Sequence, residues 1–309
     1  MAGADPALPQ ELLTSRPVIV VVGPTGIGKT SVAFELAQRL NGEVVVADSR
    51  QVYQMLDIAT NKPSPEQRQR VRYHMIDFVD PKLTFNAAQY VDGARAAIDD
   101  IMGRGKTPIV EGGTMLYVDA LTEGFSLAGV PPNPQLRRQL EVLDASTMRD
   151  RLLALDPDPG VDLQNPVRMI RAIELLEAVG PPLRQLRQRK APPWPVVRVG
   201  LLARLDVIDE RLAKRSRSQV ERGLVAETQA ALDAGVPESA AVLTGIGYAE
   251  ALAHIRGEVT LEDLPDVMAV SNRRYARRQL RWWRRDPRIT WFEIEPDPVP
   301  AILNYVENN

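Results

Sequence analysis

The residues with the clearest chemical signature are "GPTGIGKT" at positions 23–30, which fit the phosphate-binding pattern G-x-x-x-x-G-K-[ST]. Their glycines let successive backbone N–H groups turn toward one anion, and the helix expected after them adds its positive N-terminal end. Lys29 supplies a mobile ammonium group, and Thr30 can offer its hydroxyl to Mg²⁺. The stretch therefore predicts binding of phosphate groups, although the loop alone does not distinguish a nucleotide from another diphosphate.

Two further stretches, "ADSRQVY" (47–53) and "EGGTMLY" (111–117), place polar residues directly after predicted strands. Nucleotide hydrolases use a carboxylate at such a position to hold Mg²⁺, and Asp48 and Glu111 are the candidates here. Asp48 could equally accept a proton, or it could simply cap a following helix. The glycine pair permits close backbone approach and Thr114 can cap the next helix, with a plain strand-to-helix turn as the alternative.

Continuous apolar, β-branched runs predict the strands that must position these residues. The predicted strands cover 17–22, 43–48, 74–80, 107–113 and 196–203, with an edge strand at 289–294 and a helix at 86–105. Because strand, loop, helix and strand form a βαβ unit, the first two strands are expected to be parallel. The predicted fold class is α/β, a P-loop NTPase-like parallel sheet flanked by helices, with ligands at the carboxyl ends of its strands.

The pattern changes after residue 125, where strand-like runs give way to short segments rich in Leu, Arg and Pro. These segments predict an all-helical insertion domain. The predicted organisation is a disordered leader at 1–16, a core domain formed by 17–125 and 196–309, and the helical insertion domain at 126–195. Further helices are predicted at 207–234, 248–256 and 261–285.

The composition excludes several classes of protein. The 309 residues include no cysteine, no apolar run long enough for a membrane span, and no secretory signal at the start. We therefore expect a cytoplasmic protein without disulfides or a membrane partner, and a monomer by default. The net charge of −2 does not suggest nucleic-acid binding. However, the arginine-rich stretch at 271–288 does, because clustered cations repel one another unless a polyanion compensates them.

Seven stretches occur in an order that resembles the tRNA dimethylallyltransferases, also called tRNA isopentenyltransferases, over residues 17–293. They are "GPTGIGKT", "ADSRQVY", "LDIATNKPS", "EGGTMLY", "NPVRMIRAIELL", "GIGYAEAL" and "SNRRYARRQLRWWRR". The resemblance implies transfer of a dimethylallyl group from dimethylallyl diphosphate to N6 of the adenosine 3′ of the tRNA anticodon, with release of diphosphate. It also implies that the loop holds the diphosphate of the prenyl donor together with Mg²⁺, even though the same loop occurs in many ATP-binding proteins.

The resemblance also assigns roles to individual residues. Asp48 matches the general base for the adenine amino group, and Thr25 matches a threonine near the oxygen that bridges diphosphate and prenyl carbon. The implied diphosphate-binding residues are Gly23, Pro24, Thr25, Gly26, Ile27, Gly28, Lys29, Thr30, Arg211 and Arg215, with Thr30 as the Mg²⁺ ligand. The implied tRNA-binding residues are Asp48, Ser49, Arg50, Gln51, Thr114, Arg137, Arg168, Arg171, Arg273 and Arg277. Trp282 and Trp283 are expected to pack in the core.

The sequence departs from the family pattern in a few places. Ala59 and Asn61 stand in the loop after the second strand, where the family has Gly and a small residue. Asn272 replaces a threonine near the last arginine-rich helix, and Arg281 replaces another in the family's Gln-x-Thr-Trp. These changes leave the diphosphate chemistry intact and bear on tRNA affinity and range.

Two alternatives use the same phosphate loop. One is an enzyme with a small acceptor, either an adenylate prenyltransferase that modifies free AMP or ATP, or another small-molecule kinase. The other is a non-catalytic RNA-binding protein. The long insertion and the basic helices favour an RNA acceptor, because a small acceptor needs no such surface.

Overall fold

The computed structural model describes residues 17–124, 130, 133–180, 182–186 and 191–309, so the predicted leader at 1–16 lies outside the described residues. The strands are Val18–Val22 (β1), Gly42–Val46 (β2), Tyr73–His74 (β3), Thr107–Glu111 (β4), Val196–Leu202 (β5) and Ile289–Glu293 (β6). They form one six-stranded sheet in the order β3-β2-β4-β1-β5-β6, and every neighbouring pair is parallel. The prediction of a parallel sheet is confirmed, with β6 at its edge.

The helices differ from the predicted ones mainly at their ends. In chain order they are Lys29–Arg39 (α1), Pro65–Arg70 (α2), Ala87–Gly103 (α3), Met115–Glu123 (α4), Pro134–Glu141 (α5), Ala145–Leu155 (α6), Pro166–Val179 (α7), Leu183–Leu186 (α8), Leu205–Glu221 (α9), Leu224–Asp233 (α10), Tyr248–Ile255 (α11), Leu264–Trp283 (α12) and Val299–Glu307 (α13). The predicted helical region 207–234 is two helices, because Gly223 adopts a φ of 94° between them. Helices α2 and α13 were not predicted.

The carboxyl ends of three strands meet at one place on the sheet edge. β4 lies between β1 and β2, and its last residue, Glu111, pairs in register with Val21 of β1 and Val46 of β2. The phosphate loop follows β1, and Asp48 follows β2. The register therefore brings the loop, Asp48 and Glu111 to the same edge, as parallel pairing of these strands requires.

The predicted third strand at 74–80 is wrong for most of its length. Only Tyr73–His74 pairs with β2, and the chain then leaves the sheet. Met75 and Asp77 have φ values of 59° and 61°, in the left-handed region that cannot continue an extended strand. The Asp77 carboxylate instead accepts hydrogen bonds from Lys62 and Arg68, which explains why an apolar-looking run is a bend.

The chain divides into two compact units, one comprising residues up to Val118 and from Pro193 onward, the other Asp119–Pro192. In the first unit, one core packs the sheet against α1, α9 and α13, through residues such as Leu36, Leu212 and Ile302. A second core joins α10, α11 and α12 to the segment after β2. The other unit is helical and overlaps the predicted insertion at 126–195; within it, α5, α6 and α7 pack around residues such as Leu140, Leu152 and Ile173. Within the described ranges, no helix combines the length and apolar character needed to cross a bilayer.

Gly112 is the tightest backbone contact beside the site, and it gives a stability prediction. A Cβ at Gly112 would lie 2.2 Å from the carbonyl oxygen of Ala47, which is backbone and cannot swing away. We expect Gly112→Ala to lower the free energy of unfolding by about 1–3 kcal/mol, as overpacking does. Urea denaturation measures this, with Gly103→Ala as the matched control, because a Cβ at Gly103 meets nothing within 4 Å. Equal stability of the two variants would contradict the prediction.

Candidate active site

The phosphate loop connects β1 to α1 through glycines with positive φ. Gly26 and Gly28 have φ values of 81° and 104°, a region that side chains with a Cβ rarely adopt. Helix α1 begins at Lys29, directly after Gly28, so its positive end faces the loop. The sequence pattern therefore corresponds to the geometry that an anion-binding loop requires.

Lys29 and Glu111 are two ionisable residues that line this site. Glu111 is only 2% exposed, and one of its carboxylate oxygens accepts a hydrogen bond from the Thr30 hydroxyl at 3.2 Å. Burial raises the pKa of Glu111 to about 7, although the Lys29 ammonium opposes the rise. Burial also lowers the pKa of Lys29 to about 8, against the attraction of Glu111 and Asp48. Both groups therefore have pKa values closer to neutral pH than usual, as is typical of functional sites.

Asp48 serves as a turn cap and still presents a carboxylate oxygen. Its Oδ1 accepts from the backbone N–H groups of Arg50 at 2.8 Å and Gln51 at 3.4 Å. Its Oδ2 has no hydrogen-bond partner among the described residues. The two interpretations left open by the sequence are therefore compatible, because one oxygen holds the turn and the other is available to a ligand.

Arg211 and Arg215 lie one turn apart on α9, and their guanidinium groups contact different partners. Arg215 donates to the Thr25 hydroxyl at 3.1 Å, and burial lowers the pKa of Arg215 to about 10 against the attraction of Asp48. Arg211 donates to the backbone carbonyl of Ile27 at 3.4 Å and pairs with Glu295 at 3.3 Å. Only Arg215 therefore lies against the predicted leaving-group threonine.

Two adjoining pockets are built on these side chains. The first contains the ionisable groups beside the phosphate loop and is lined by Thr25, Gly26, Gly28, Lys29, Thr30, Ser31, Asp48, Gln51, Thr60, Asn61, Glu111, Gly112, Gly113, Arg215, Tyr275 and Gln279. The second shares Thr25, Asp48, Thr60, Arg215 and Tyr275 with the first and is also lined by Ser49, Arg50, Ala59, Thr114, Met115, Leu116, Thr244, Gly245, Ile246, Tyr248, Asn272 and Arg278. Asp48 thus borders both the first pocket, named the phosphate pocket after its loop, and the second, which is larger and partly apolar and is named the acceptor pocket.

The donor set around Thr30 fits Mg²⁺. Mg²⁺ prefers oxygen ligands and is commonly held by one or two carboxylates together with substrate phosphates. The Thr30 hydroxyl, Glu111 and Asp48 all supply oxygen atoms to the phosphate pocket. Across the described residues, no cluster of three or more Asp, Glu, His or Cys side chains could hold a metal. The ion would therefore depend on phosphate oxygens for much of its coordination.

Four of the predicted tRNA-binding residues gather near Asp48. Ser49 donates its backbone N–H to the Thr114 hydroxyl at 2.9 Å, and Arg50 reaches the Thr244 hydroxyl at 3.5 Å. Gln51 is only 6% exposed, and its amide nitrogen donates to the Thr60 carbonyl at 3.1 Å. Gln51 therefore lines the phosphate pocket, and it is not placed on an open surface.

The arginine-rich helix α12 is less uniform than its sequence suggests. Arg277 forms a bidentate ion pair with Asp209, at 2.8 and 3.0 Å, so its charge is already balanced. Arg273 is half-buried, whereas Arg278 is exposed and stacks over the Tyr275 ring at 4.9 Å. Trp283 is buried as predicted. The prediction is wrong for Trp282, which lies on the outer face of α12 and is 37% exposed.

The predicted arginines of the helical unit divide in the same way. Arg137 and Arg171 both donate to Glu174, whose side chain is 1% exposed. Burial raises the pKa of this carboxyl, but Arg137, the Asn133 amide and Arg171 outweigh burial and hold it at about 2. Arg168 is exposed on α7. Arg137 and Arg171 therefore hold the unit together, and Arg168 is the accessible cation of the three.

Sequence reasoning missed Tyr275 and Gln279 as site residues. Both donate to the carbonyl of Gly113 at 2.8 Å, and they lie four residues apart on one face of α12. The sequence shows this spacing, but it does not show which backbone atoms the two side chains bind. The departure Asn61 also lines the phosphate pocket: with its amide oxygen turned toward Arg215, it accepts from Nε at 2.8 Å.

Comparison with known proteins identifies relatives that match most of the chain. The family model described as IPP transferase matches residues 51–286. A tRNA dimethylallyltransferase from Thermomicrobium roseum is 40% identical over 95% of this chain and 92% of its own. One from Geobacter metallireducens is 38% identical over 94% and 96%.

Solved structures are similar over nearly the whole chain. The full-length tRNA isopentenylpyrophosphate transferase from Bacillus halodurans gives a TM-score of 0.73 at 34% identity, covering 95% of this chain and 96% of that one. A eukaryotic dimethylallyltransferase, caught in crystallographic snapshots acting on tRNA, gives a TM-score of 0.81 at 25% identity over 96% and 80%.

The Glu174 cluster predicts different outcomes for two arginines of one unit. Arg137→Ala removes a bidentate partner of a buried carboxylate and should cost about 1–3 kcal/mol of unfolding free energy at neutral pH. Arg168→Ala, an exposed change, should stay within about 0.5 kcal/mol. Hydrogen exchange of the α5–α7 amides in the full chain measures both. Similar protection in the two variants would show that Arg137 has no structural role.

The raised pKa of Glu111 predicts a pH effect on stability. An acid with a raised folded-state pKa favours folding below its unfolded value of about 4.3, and this contribution is lost as pH rises through about 7. Glu111→Gln cannot ionise, so its unfolding free energy relative to wild type should increase between about pH 4.5 and 7.5. Urea unfolding across this range tests the trend, with the exposed Glu221→Gln as control. A difference independent of pH would contradict it.

Proposed function

The chain belongs to the IPP transferase family of tRNA dimethylallyltransferases, and on that premise we propose the reaction that its active site performs. The enzyme transfers a dimethylallyl group from dimethylallyl diphosphate to N6 of the adenosine 3′ of the anticodon in tRNA, and it releases diphosphate. The observation that carries the proposal is the position of Asp48, which borders the phosphate pocket and the acceptor pocket at once. A base at that boundary can act on an acceptor while the donor's diphosphate is held next door.

The phosphate pocket binds the leaving group. The loop N–H groups and the Lys29 ammonium hold the diphosphate, and Thr30 contributes its hydroxyl to Mg²⁺. When bound, the metal adds positive charge beside the departing oxygens. Thr25 and Arg215, joined at 3.1 Å, place a hydroxyl and a guanidinium where negative charge develops as the C–O bond breaks. Arg211 supports the loop from outside through the Ile27 carbonyl.

Asp48 receives the proton from the acceptor. An exocyclic amine is a weak nucleophile because its lone pair is delocalised into the purine ring. As N6 forms its bond to the prenyl carbon, the Asp48 carboxylate takes the N6 proton, and diphosphate leaves with the electron pair of the C–O bond. The oxygen available for this step is Oδ2, since Oδ1 holds the turn at Arg50 and Gln51.

The acceptor pocket is suited to a purine that has left its stack. It combines apolar contacts from Met115 and Leu116 with polar groups from Ser49, Arg50 and Thr114. An adenine in an anticodon loop must unstack to enter such a pocket. Besides Arg50, which lines this pocket, the arginines implied for tRNA binding that have no ion pair among the described residues are Arg168 and Arg273. They are the proposed contacts to the RNA backbone. The monomeric state and the cytoplasmic location of the protein remain predictions.

An adenylate prenyltransferase would use the same phosphate pocket, and an acceptor competition separates the two. Purified protein is mixed with Mg²⁺, dimethylallyl diphosphate and an anticodon stem-loop RNA carrying the target adenosine. The expected product is prenylated RNA, formed in preference to prenylated AMP at equal acceptor concentration. Prenylation of AMP alone would support the alternative, and no product with either acceptor would contradict both.

Replacement of Asp48 tests its role as base. Asp48→Asn keeps the size of the side chain and removes the proton acceptor, so the transfer rate should fall by at least about 100-fold. Binding of the stem-loop RNA should stay within about twofold, as measured by filter binding. The exposed Asp92→Asn serves as the control for a carboxylate lost elsewhere. Full transfer activity in Asp48→Asn would rule out general base catalysis by this residue.

A further inference from the structure

Gln279 is completely buried in α12, yet both ends of its side-chain amide are used. Its oxygen accepts the backbone N–H of Thr25 at 2.8 Å, and its nitrogen donates to the carbonyl of Gly113 at 2.8 Å. The side-chain amide of Gln279 thus links the phosphate loop to the segment after β4. Both distances are those of good hydrogen bonds.

Gly113 lies close to α12 and accepts two hydrogen bonds from it. Its carbonyl also accepts from the Tyr275 hydroxyl at 2.8 Å, so α12 holds this one oxygen through two side chains. A Cβ at Gly113 would lie 2.6 Å from the Gln279 nitrogen. The glycine therefore allows the amide to approach the backbone directly.

The segment held by Gln279 in turn holds both chain neighbours of Asp48. The backbone N–H of Thr114 donates to the Ala47 carbonyl at 3.1 Å, and the Ser49 N–H donates to the Thr114 hydroxyl at 2.9 Å. Asp48 lies between these two anchored residues. A shift of Gly113 and Thr114 would therefore carry the carboxylate with it.

The other end of the amide holds the residue proposed to face the leaving group. Thr25 gives its N–H to Gln279, and its hydroxyl accepts from Arg215 at 3.1 Å. Thr25 is thus held by a neutral group on its backbone and a cation on its side chain. Moving the backbone would move the hydroxyl relative to the prenyl–oxygen bond.

We propose that Gln279 is a positioning residue that sets the distance between Thr25 at the leaving group and Asp48 at the acceptor amine. The inference rests on the proposed function, because it assigns those two roles to Thr25 and Asp48. Gln279 itself contacts backbone atoms of the protein and takes no part in bond making. Its effect is on geometry, to which transfer between two held reactants is very sensitive.

The amide is suited to this task because it offers one acceptor and one donor at the end of a long side chain. A carboxylate offers acceptors only, so it would bind the Thr25 N–H and repel the Gly113 carbonyl. A protonated carboxyl group again has one acceptor and one donor. Gln279→Glu should therefore restore the bridge only when it is neutral, and its burial favours the neutral form.

The test compares the single-turnover transfer rate of Gln279→Glu with that of wild type between pH 5.5 and 8.5. At pH 8.5 the variant should be slower by at least about tenfold, consistent with misplacement of reacting groups. The ratio of variant to wild-type rate should rise as pH falls. Both proteins share the other titratable groups of the two pockets, so the ratio of their rates cancels the effect of these groups on the pH dependence. They are Lys29, Asp48, Arg50, Glu111, Arg215, Tyr248, Tyr275 and Arg278.

Two matched variants define the comparison. Gln279→Met has a similar length but neither donor nor acceptor, so its rate ratio should be low and independent of pH. Gln185→Glu changes an exposed glutamine in the same way and should leave the rate unchanged. Stem-loop RNA affinity should stay within about twofold in all of them, since Gln279 faces backbone and not RNA. Thermal unfolding at each pH reports the folded fraction.

Three outcomes would overturn the inference. One is a Gln279→Glu rate within twofold of wild type at every pH. Another is a pH-independent loss equal to that of Gln279→Met. The third is a loss that disappears once rates are expressed per folded molecule, which would indicate a role in stability alone.

Tyr275→Phe keeps the inference testable if both Gln279 variants fail to fold. It removes only the second donor to Gly113, and the transfer rate should fall about two- to fivefold with RNA affinity unchanged. An unchanged rate would count against a geometric role for this contact. Absence of transfer by the wild type would contradict the proposed function itself. In an active enzyme, a ratio of Gln279→Glu to wild-type rate that does not change with pH would contradict only the inference about Gln279.

Discussion

The active site depends on a set of opposed charges that the fold places in one pocket without fully balancing them. Lys29 and Arg215 have pKa values lowered to about 8 and about 10 because burial opposes their charge. Glu111 has a pKa raised to about 7 for the same reason, so it compensates the cations incompletely. Two cations that are costly to bury favour an incoming anion with several negative oxygens. The sheet register makes this arrangement possible, because it brings the ends of β1, β2 and β4 together.

Most of the fold followed from the sequence, because parallel strands covered on both faces leave long apolar runs. The main error, the strand at 74–80, came from residues whose hydrophobicity suggested a strand but whose backbone does not continue one. Met75 and Asp77 adopt left-handed conformations, and the Lys62 and Arg68 side chains that hold Asp77 come from elsewhere in the chain. Hydrophobic patterns do not report such tertiary ion pairs. The short helix Pro65–Arg70 has no buried residue, so it lacked the periodic signal by which helices are recognised.

The candidate site was predictable where its chemistry is local and less so where it depends on distant partners. The phosphate loop, Asp48 and Thr30 sit in short motifs at fixed positions after strands, so their types and spacing were informative. The arginines were harder, because helical spacing identifies which residues share a face but not which are already paired. Arg277 is balanced by Asp209, and Arg137 and Arg171 are balanced by Glu174. The spacing of Tyr275 and Gln279 places them on one face of a helix, but it does not show what Gln279 binds, because its two backbone partners are 166 and 254 residues away along the chain.

The close fit between Gly113 and Gln279 has an evolutionary consequence. Because a Cβ at position 113 would lie 2.6 Å from the amide nitrogen of residue 279, a larger residue at position 113 would require that side chain to move. Movement of the amide would in turn weaken its hydrogen bond to the Thr25 N–H. Substitutions at these two sites are therefore expected to occur together.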